Sequence, residues 1–463
     1  MEQAAQRRFG FWDLALYATA MTLSLRWLAS AAAAGPSSLL IWVLAALLFL
    51  GPLAVASAEL TSRIEGEGAV YAWTRETMGP FAGFVCAWLY WTCNLPFFSG
   101  LFLFVANVLA TAAGPHAAQM IHHPAVFLSA SIGLTVMVAL MHMAGLGVGK
   151  WLPSFGAIST FLVLAVLLLC GAALAIAGNV ATDFSQVSSY LPPLNADGAI
   201  LWATMVFAFG GAEGVAVMRN EVAGGMRTVV RALVFVGLLL ALAYVLGSAA
   251  MLTILRPEEA TRLGGIPDAL SASLHRLELG ALAPAALLLL ALSMLGSLSA
   301  WFGVAARLPF AVGVSQGLPA AFARRDPRTG APTVSILVQA GLVILLLVLS
   351  QAGETLESAY DFLVSMSVLS YTLPFLFLFA AYWRVQTRPA PAGAWIAPGS
   401  ANLRRAIALV GLLTSLTAIV CSLTPSPDAP DPVAAVTKLF LASAVLIAGG
   451  VVVYLTSRNS AAR

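Results

Sequence analysis

The chain has 463 residues, 60% of them hydrophobic and only 9% charged, where ordinary soluble domains run at roughly 45–50% apolar and 25% charged. That excludes a soluble globular enzyme and a disordered chain, and 23 basic against 20 acidic residues, netting +3 with no basic block, exclude a nucleic-acid binder. Cys86, Cys93, Cys170 and Cys421 all fall in apolar runs without metal-ligand spacing and read as buried thiols, so the fold class is an all-α polytopic membrane protein and not a disulfide scaffold.

A bilayer core about 30 Å thick takes about 20 apolar residues per helix. About twelve such stretches follow one another: Asp13–Ala34, Ser38–Thr61, Phe81–Ala112, Pro124–Met143, Pro153–Ala177, Ala199–Met218, Val230–Leu255, Ala281–Ala305, Pro332–Ser350, Tyr360–Trp383, Ala406–Leu423 and Val433–Thr456. No Asp, Glu, Lys or Arg lies between Glu76 and Lys150, or between Lys150 and Asp183. Placing the N-terminus in the cytoplasm puts every Lys and Arg inside except Arg256, Arg262, Arg276 and Lys438 outside and Arg26 in the membrane. Both termini are therefore expected to be cytoplasmic, with the protein integral to the plasma membrane. The start mimics a signal peptide, with Arg7, Arg8 and a small-residue site at Ala29-Ser30-Ala31. Arg26 interrupts the apolar region just before that site, so the first span is expected to be retained.

The informative residues are those that lipid rejects, since a charge at the bilayer centre costs ~2.5–3.5 kcal/mol on insertion scales. Arg26 is the only charged residue between Asp13 and Glu59, and Glu213 the only one between Asp197 and Arg219. Glu213 sits in Phe207-Ala208-Phe209-Gly210-Gly211-Ala212-Glu213-Gly214, with three glycines in five positions. That density predicts an interrupted sixth span. Interrupted backbone at membrane depth is tolerated where it lines a cavity; the competing reading is close packing through small residues. Freed N–H groups around Gly210 and Gly211 suit a carboxylate and freed carbonyls an ammonium.

In the first span, Thr22, Ser24 and Ser30 are the candidate interrupters of Met21–Ser30, with no Gly before Gly35. Three roles stay open for Arg26: clamping a substrate carboxylate, pairing with Glu213, or capping the carbonyls of a first half-helix. His116, His122, His123 and His142 have no second ligand at metal spacing, so no metal or other cofactor is expected. Asp361 is expected at the start of the tenth span, where an acid suits a helix N-terminus. Trp88, Tyr90, Trp91 and Trp301 read as interfacial or packing residues.

Several segments together resemble the amino acid, polyamine and organocation transporter superfamily over almost the whole chain. They are Gly35-Pro36, Ala58-Glu59-Leu60 with Ser62-Arg63, Gly68-Ala69-Val70-Tyr71-Ala72-Trp73 and Met78-Gly79-Pro80, then Gly211-Ala212-Glu213 with Asn220-Glu221-Val222 and Arg231-Ala232. Ser299-Ala300-Trp301, Arg307-Leu308-Pro309, Gly317-Leu318-Pro319-Ala320 and Gly330-Ala331-Pro332 complete the set. Within it the chain is most similar to bacterial glutamate/GABA antiporters, through Ala291–Ala323 and Val410-Gly411-Leu412-Leu413-Thr414-Ser415, and more distantly to the arginine/agmatine antiporter.

The resemblance implies one transmembrane unit over residues 1–463, a five-plus-five inverted repeat (about 13–178 and 199–383) with broken helices 1 and 6, and two extra helices (about 404–456). It implies substrate held between the broken helices and alternating access, with Glu213 in substrate release or proton handling, Phe207 capping the substrate and Trp301 lining its path. The chain departs from the family in replacing the Gly-Ser-Gly triplet of helix 1 near Met21-Thr22-Leu23, in carrying Arg26, and in lacking a helix 5 lysine between Lys150 and Arg219. The candidate binding set is Met21, Thr22, Ser24, Arg26, Asn94, Phe207, Phe209, Gly210, Gly211 and Trp301, with Glu213 for coupling or gating.

The expected function is secondary active transport, by antiport or proton symport, of amino acids or closely related small organic ions. Its partners would be the solute, the bilayer and a coupling proton, with no nucleic acid. A transporter-like sensor or a polyamine or organic-cation carrier is the alternative. A channel lacks a continuous polar stripe, and an integral-membrane enzyme lacks a nucleophile with its base, a metal cluster or a phosphate loop.

Overall fold

A computed structural model describes residues 10–65, 69–145, 151–211, 213–214, 222, 224–314, 318–350, 355–425 and 431–461. Gly68, Lys150, Ala212, Asn220, Glu221 and Gly317 therefore lie outside the described residues. Every regular element described is a helix. In chain order the principal ones are α1 (Phe11–Thr22), α2 (Arg26–Ala32), α3 (Ser37–Arg63), α4 (Val70–Met78), α5 (Pro80–Ala113), α6 (Pro124–Met143), α7 (Trp151–Ile176) and α8 (Ala196–Ala208). They continue with α9 (Gly225–Ile254), α10 (Gly265–Arg276), α11 (Ala283–Val314), α12 (Thr333–Ser350), α13 (Leu356–Val385), α14 (Ala401–Ser422) and α15 (Pro432–Ala461).

Among the described residues, ten of these helices are long and apolar enough to cross a membrane: α3, α5, α6, α7, α9 and α11 to α15. The remaining two expected spans are the first, split into α1 and α2, and the sixth, whose helix α8 stops at Ala208.

Local chemistry sets many boundaries. Asn195, Thr355 and Ser400 accept the N–H of Gly198, Ser358 and Leu403 at the starts of α8, α13 and α14, which fills otherwise orphaned donors. Gly79, at φ +97°, ends α4, and Pro80 opens α5, where a missing N–H costs nothing. A π turn at Ala46–Leu50 widens α3 just before Gly51-Pro52, accommodating a ring that cannot donate to the helix ladder.

The helices divide into a lipid face and an inner face. Along α9, Val234, Leu238, Leu242 and Leu246 are exposed at four-residue steps, while Leu233, Val236, Leu240, Tyr244 and Gly247 are buried; this is a helix with one apolar stripe for lipid and one for protein. Helix α7 packs along α11 so closely that a Cβ on Gly156 would stand 2.4 Å from the Gly296 Cα. One turn on, the Thr160 and Ser293 hydroxyls are 2.6 Å apart, so small residues and a shared hydrogen bond hold the pair together. Gly156→Leu is expected to destabilise by about 1–3 kcal/mol through overpacking, read as a lower melting temperature of the purified protein in detergent.

Asp361 is not at a helix start, as the sequence suggested. Helix α13 begins five residues earlier at Leu356, capped by Thr355, and Asp361 instead pairs with Arg262 across 3.4 Å.

A buried ionic cluster closes the C-terminal end of α3. Glu59 is wholly buried and accepts from Arg63 Nη1 at 2.9 Å, the Tyr382 hydroxyl at 3.0 Å, Gln386 Nε2 at 3.0 Å and the Ala397 N–H at 3.1 Å. Arg404 Nε stands 3.9 Å from the same carboxylate and also donates to Gln386 Oε1. Arg63 reaches the Arg388 carbonyl, so α3, α13, α14 and the connection between the last two meet on one carboxylate.

Candidate functional site

The break between α1 and α2 at Leu23–Leu25 contains no glycine, and side chains from remote spans take its freed backbone groups. Trp301 of α11 donates from Nε1 to the Met21 carbonyl at 2.7 Å. Tyr244 of α9 accepts the Ser24 N–H at 3.3 Å, and its hydroxyl lies 3.3 Å from the Thr22 carbonyl and 3.2 Å from that of Ala208 at the end of α8. Tyr244 is held by stacking on Trp42, with ring centroids 4.3 Å apart, and Trp42 is fixed by its own hydrogen bond to Ser248 at 2.9 Å. Interrupted backbone is thus satisfied by protein, as membrane depth requires. Trp301→Phe is expected to cost about 1–3 kcal/mol by orphaning the Met21 carbonyl, checked by thermal unfolding in detergent.

After α8 the chain turns through Phe209, Gly210 and Gly211. Close approach demands both glycines. A Cβ on Gly210 would stand 2.3 Å from the Tyr371 ring, and one on Gly211, which adopts φ +102°, would stand 3.1 Å from both Trp301 and Thr22. Glu213 follows, 1% exposed. Its Oε1 accepts from the Tyr90 hydroxyl at 2.7 Å and the Tyr371 hydroxyl at 2.9 Å, and its Oε2 from the Gly211 N–H at 2.9 Å. The Gly210 N–H donates to the Phe207 carbonyl at 2.9 Å. Neither glycine N–H is therefore offered to a solute in this conformation, contrary to the expectation from sequence, because the carboxylate two residues on folds back over the turn.

Between the two interruptions lies a small cavity lined by Met21, Thr22, Ser24, Trp27, Asn94, Phe97, Phe207, Ala208, Gly210, Ser297, Trp301 and Tyr371. Phe207 is the hub of its aromatic wall, edge-on to Trp27 at 5.2 Å and to Tyr371 at 5.1 Å, with Phe97 6.2 Å away. Among the described residues, no charged side chain lines it.

Of the residues singled out from sequence, Met21, Thr22, Ser24, Asn94, Phe207, Gly210 and Trp301 line this cavity, and Arg26, Phe209 and Gly211 do not. Phe209 turns the other way, edge-on to Trp42 and Tyr244. Asn94 donates to the Tyr90 carbonyl at 2.6 Å. Arg26 neither pairs with Glu213 nor caps a carbonyl: its three guanidinium nitrogens find no hydrogen-bond partner among the described residues. Trp27, Phe97, Ser297 and Tyr371 were missed, as was the role of Tyr90, which binds Glu213 and is not an interfacial ring. Trp91, by contrast, is a packing residue, donating to Gln339 at 3.1 Å. The aromatic identity of Tyr90 and Tyr371 was visible, but only the fold brings both hydroxyls to one carboxylate.

Comparison with known proteins is consistent with this arrangement. A family model described as amino acid permease matches residues 9–452. The chain is 25% identical over 437 residues to an uncharacterized transporter of Legionella pneumophila, covering 93% of this chain and 91% of that one. It is 23% identical to the glutamate/gamma-aminobutyrate antiporter of Lactococcus lactis, over 83% and 77% of the two chains. It is 25% identical to the inner membrane transporter YjeM of Escherichia coli, over 75% and 76%. The crystal structure of a manganese transporter of Eremococcus coleocola superposes with a TM-score of 0.58 over 96% of this chain and 92% of that one; at 13% identity this bears on the fold alone. With the family match running over nearly its whole length and a cavity set between interrupted spans, the chain belongs to the amino acid permease family and is an integral membrane transporter.

Proposed function

We propose that the protein is a secondary carrier of an amino acid or closely related small organic ion, working by alternating access. The observation that carries this reading is the cavity between the two interrupted spans, walled by Trp27, Phe97, Phe207, Trp301 and Tyr371. The cavity sits at the two helix interruptions, where broken-helix carriers hold their solute, although in this conformation protein partners take the freed backbone groups. The two five-span repeats, about 13–178 and 199–383, with about 404–456 added, and the cytoplasmic placement of both termini are part of the same proposal. It is supported by the antiporter and inner membrane transporter among the relatives.

Glu213 is the proposed proton-coupling residue. Three donors converge on it, an arrangement that suits an acceptor-only, ionised carboxylate. The Gly211 N–H cannot turn away from Oε2, whereas the Tyr90 and Tyr371 hydroxyls can rotate. An arriving proton therefore settles on Oε1, and one tyrosine switches from donor to acceptor.

An organic-cation carrier is the second reading, favoured by the five rings and the uncharged lining, because π faces attract cations. Purified protein in liposomes, challenged with radiolabelled amino acids, amines and carboxylates, is expected to show saturable uptake or exchange of amino acids. Saturable uptake of amines alone selects the second reading, and no uptake of any solute ends the carrier reading.

A further inference from the structure

Arg26 is a fully buried intramembrane charge that the machinery above leaves unused. It lies at the first turn of α2 and is 1% exposed. Its Cζ stands 4.1 Å from the Trp27 ring centroid and 4.7 Å from that of Phe97. The Tyr360 hydroxyl stands close enough to interact with it and Tyr244 is a further polar neighbour, yet none of its three nitrogens makes a well-aligned hydrogen bond among the described residues. Two π faces offset part of the charge, but a guanidinium has five N–H donors that want oxygen, and burying it without an anion is the costly half of an ion pair. Tyr244, meanwhile, is committed to the two breaks.

The position of Arg26 relative to the cavity is equally specific. Trp27 and Phe97 line the cavity and Arg26 does not, so the two rings that bear on the guanidinium also form the cavity wall. Phe207 locks against both rings on the cavity side.

We infer that Arg26 is a carboxylate-binding site behind a movable aromatic partition: a solute carboxylate pairs with the guanidinium when Trp27 and Phe97 swing aside. The solute then passes into the cavity as the rings return to the guanidinium, the state captured in this structure. The inference rests on the carrier reading and narrows it to carboxylate-bearing solutes. A guanidinium takes a carboxylate through two parallel hydrogen bonds, a geometry that neither an amine nor a chloride ion can reproduce.

The test uses the full chain, with radiolabelled L-glutamate, L-phenylalanine and phenethylamine as probes, and chloride as competitor. Two readouts are needed: binding in detergent and uptake into liposomes. Wild type is expected to bind and transport at least one of the two amino acids and to reject the amine. Arg26→Met keeps length and removes charge; it is expected to weaken binding and raise KM for the carboxylate by about 30-fold or more while melting at the same or a higher temperature. Arg26→Lys is expected to recover part of the affinity. An Arg26→Met protein with unchanged carboxylate affinity, a preference for the amine, or chloride competing as well as carboxylate would overturn the inference. Arg26-dependent binding without flux upholds it and removes the carrier reading; flux indifferent to Arg26 does the reverse.

Discussion

Glu59→Ala is expected to lower the free energy of unfolding by about 3–5 kcal/mol, the range found when one partner of a buried ion pair is deleted. The carboxylate is wholly buried and serves Arg63, Tyr382, Gln386 and the Ala397 N–H at once. Removing it leaves the Arg63 guanidinium, 3% exposed at its side chain, without its carboxylate in the interior. Because the cluster ties α3 to α13, α14 and the segment between them, the loss is expected to loosen the attachment of α14 and α15 first. Glu59→Gln keeps the shape and one acceptor oxygen, so it is expected to cost about half as much. Thermal unfolding in detergent by tryptophan fluorescence measures both; an alanine variant within about 1 kcal/mol of wild type would remove the claim that this carboxylate organises the cluster.

Glu213→Gln is expected to slow transport about 10–100-fold, the equivalent of about 1.4–3 kcal/mol. The amide keeps one oxygen for the Gly211 N–H or for the tyrosines, not for both. Whichever way it turns, a buried donor loses an acceptor. The residual activity is also expected to lose the pH dependence that wild type shows, since the replacement cannot carry a proton. Initial rates in liposomes across a pH series test this. A glutamine variant that keeps the wild-type pH profile assigns coupling to another group, and Tyr371→Phe then distinguishes a gating role, in which rate falls and pH profile stays.

How much of this was legible in the sequence divides along physical lines. Apolar run length gave the spans, because lipid thickness fixes it, and the glycines at Gly210, Gly211 and Gly214 marked the sixth-span interruption. The exact reason for two of those glycines was not legible: they make room for the Tyr371 and Trp301 rings, which arrive from far along the chain. The interruption of the first span carried only a faint signal from Thr22 and Ser24. Its carbonyls and N–H are filled by Trp301 and Tyr244, more than two hundred residues away, so tertiary partners override local helix propensity. Arg26 and Glu213 stood out as intramembrane charges, and the structure brings both beside the cavity. They do not pair: the Tyr90 and Tyr371 hydroxyls and the Gly211 N–H occupy the carboxylate, while the guanidinium faces the Trp27 and Phe97 rings. Asp361 misled for the opposite reason: an acid near a helix start looks like a cap, and its actual partner, Arg262, lies 99 positions away.

The Tyr244 hydroxyl stands within reach of two carbonyls, one from each interrupted span, and it owns a single hydrogen. At any instant it can serve Thr22 or Ala208, never both, while its lone pairs stay with Ser24. The two fractures in the bundle are thus joined by an either/or contact. A shift of a few tenths of an ångström at one of them hands the hydrogen to the other, so neither fracture can rearrange without its counterpart registering the change.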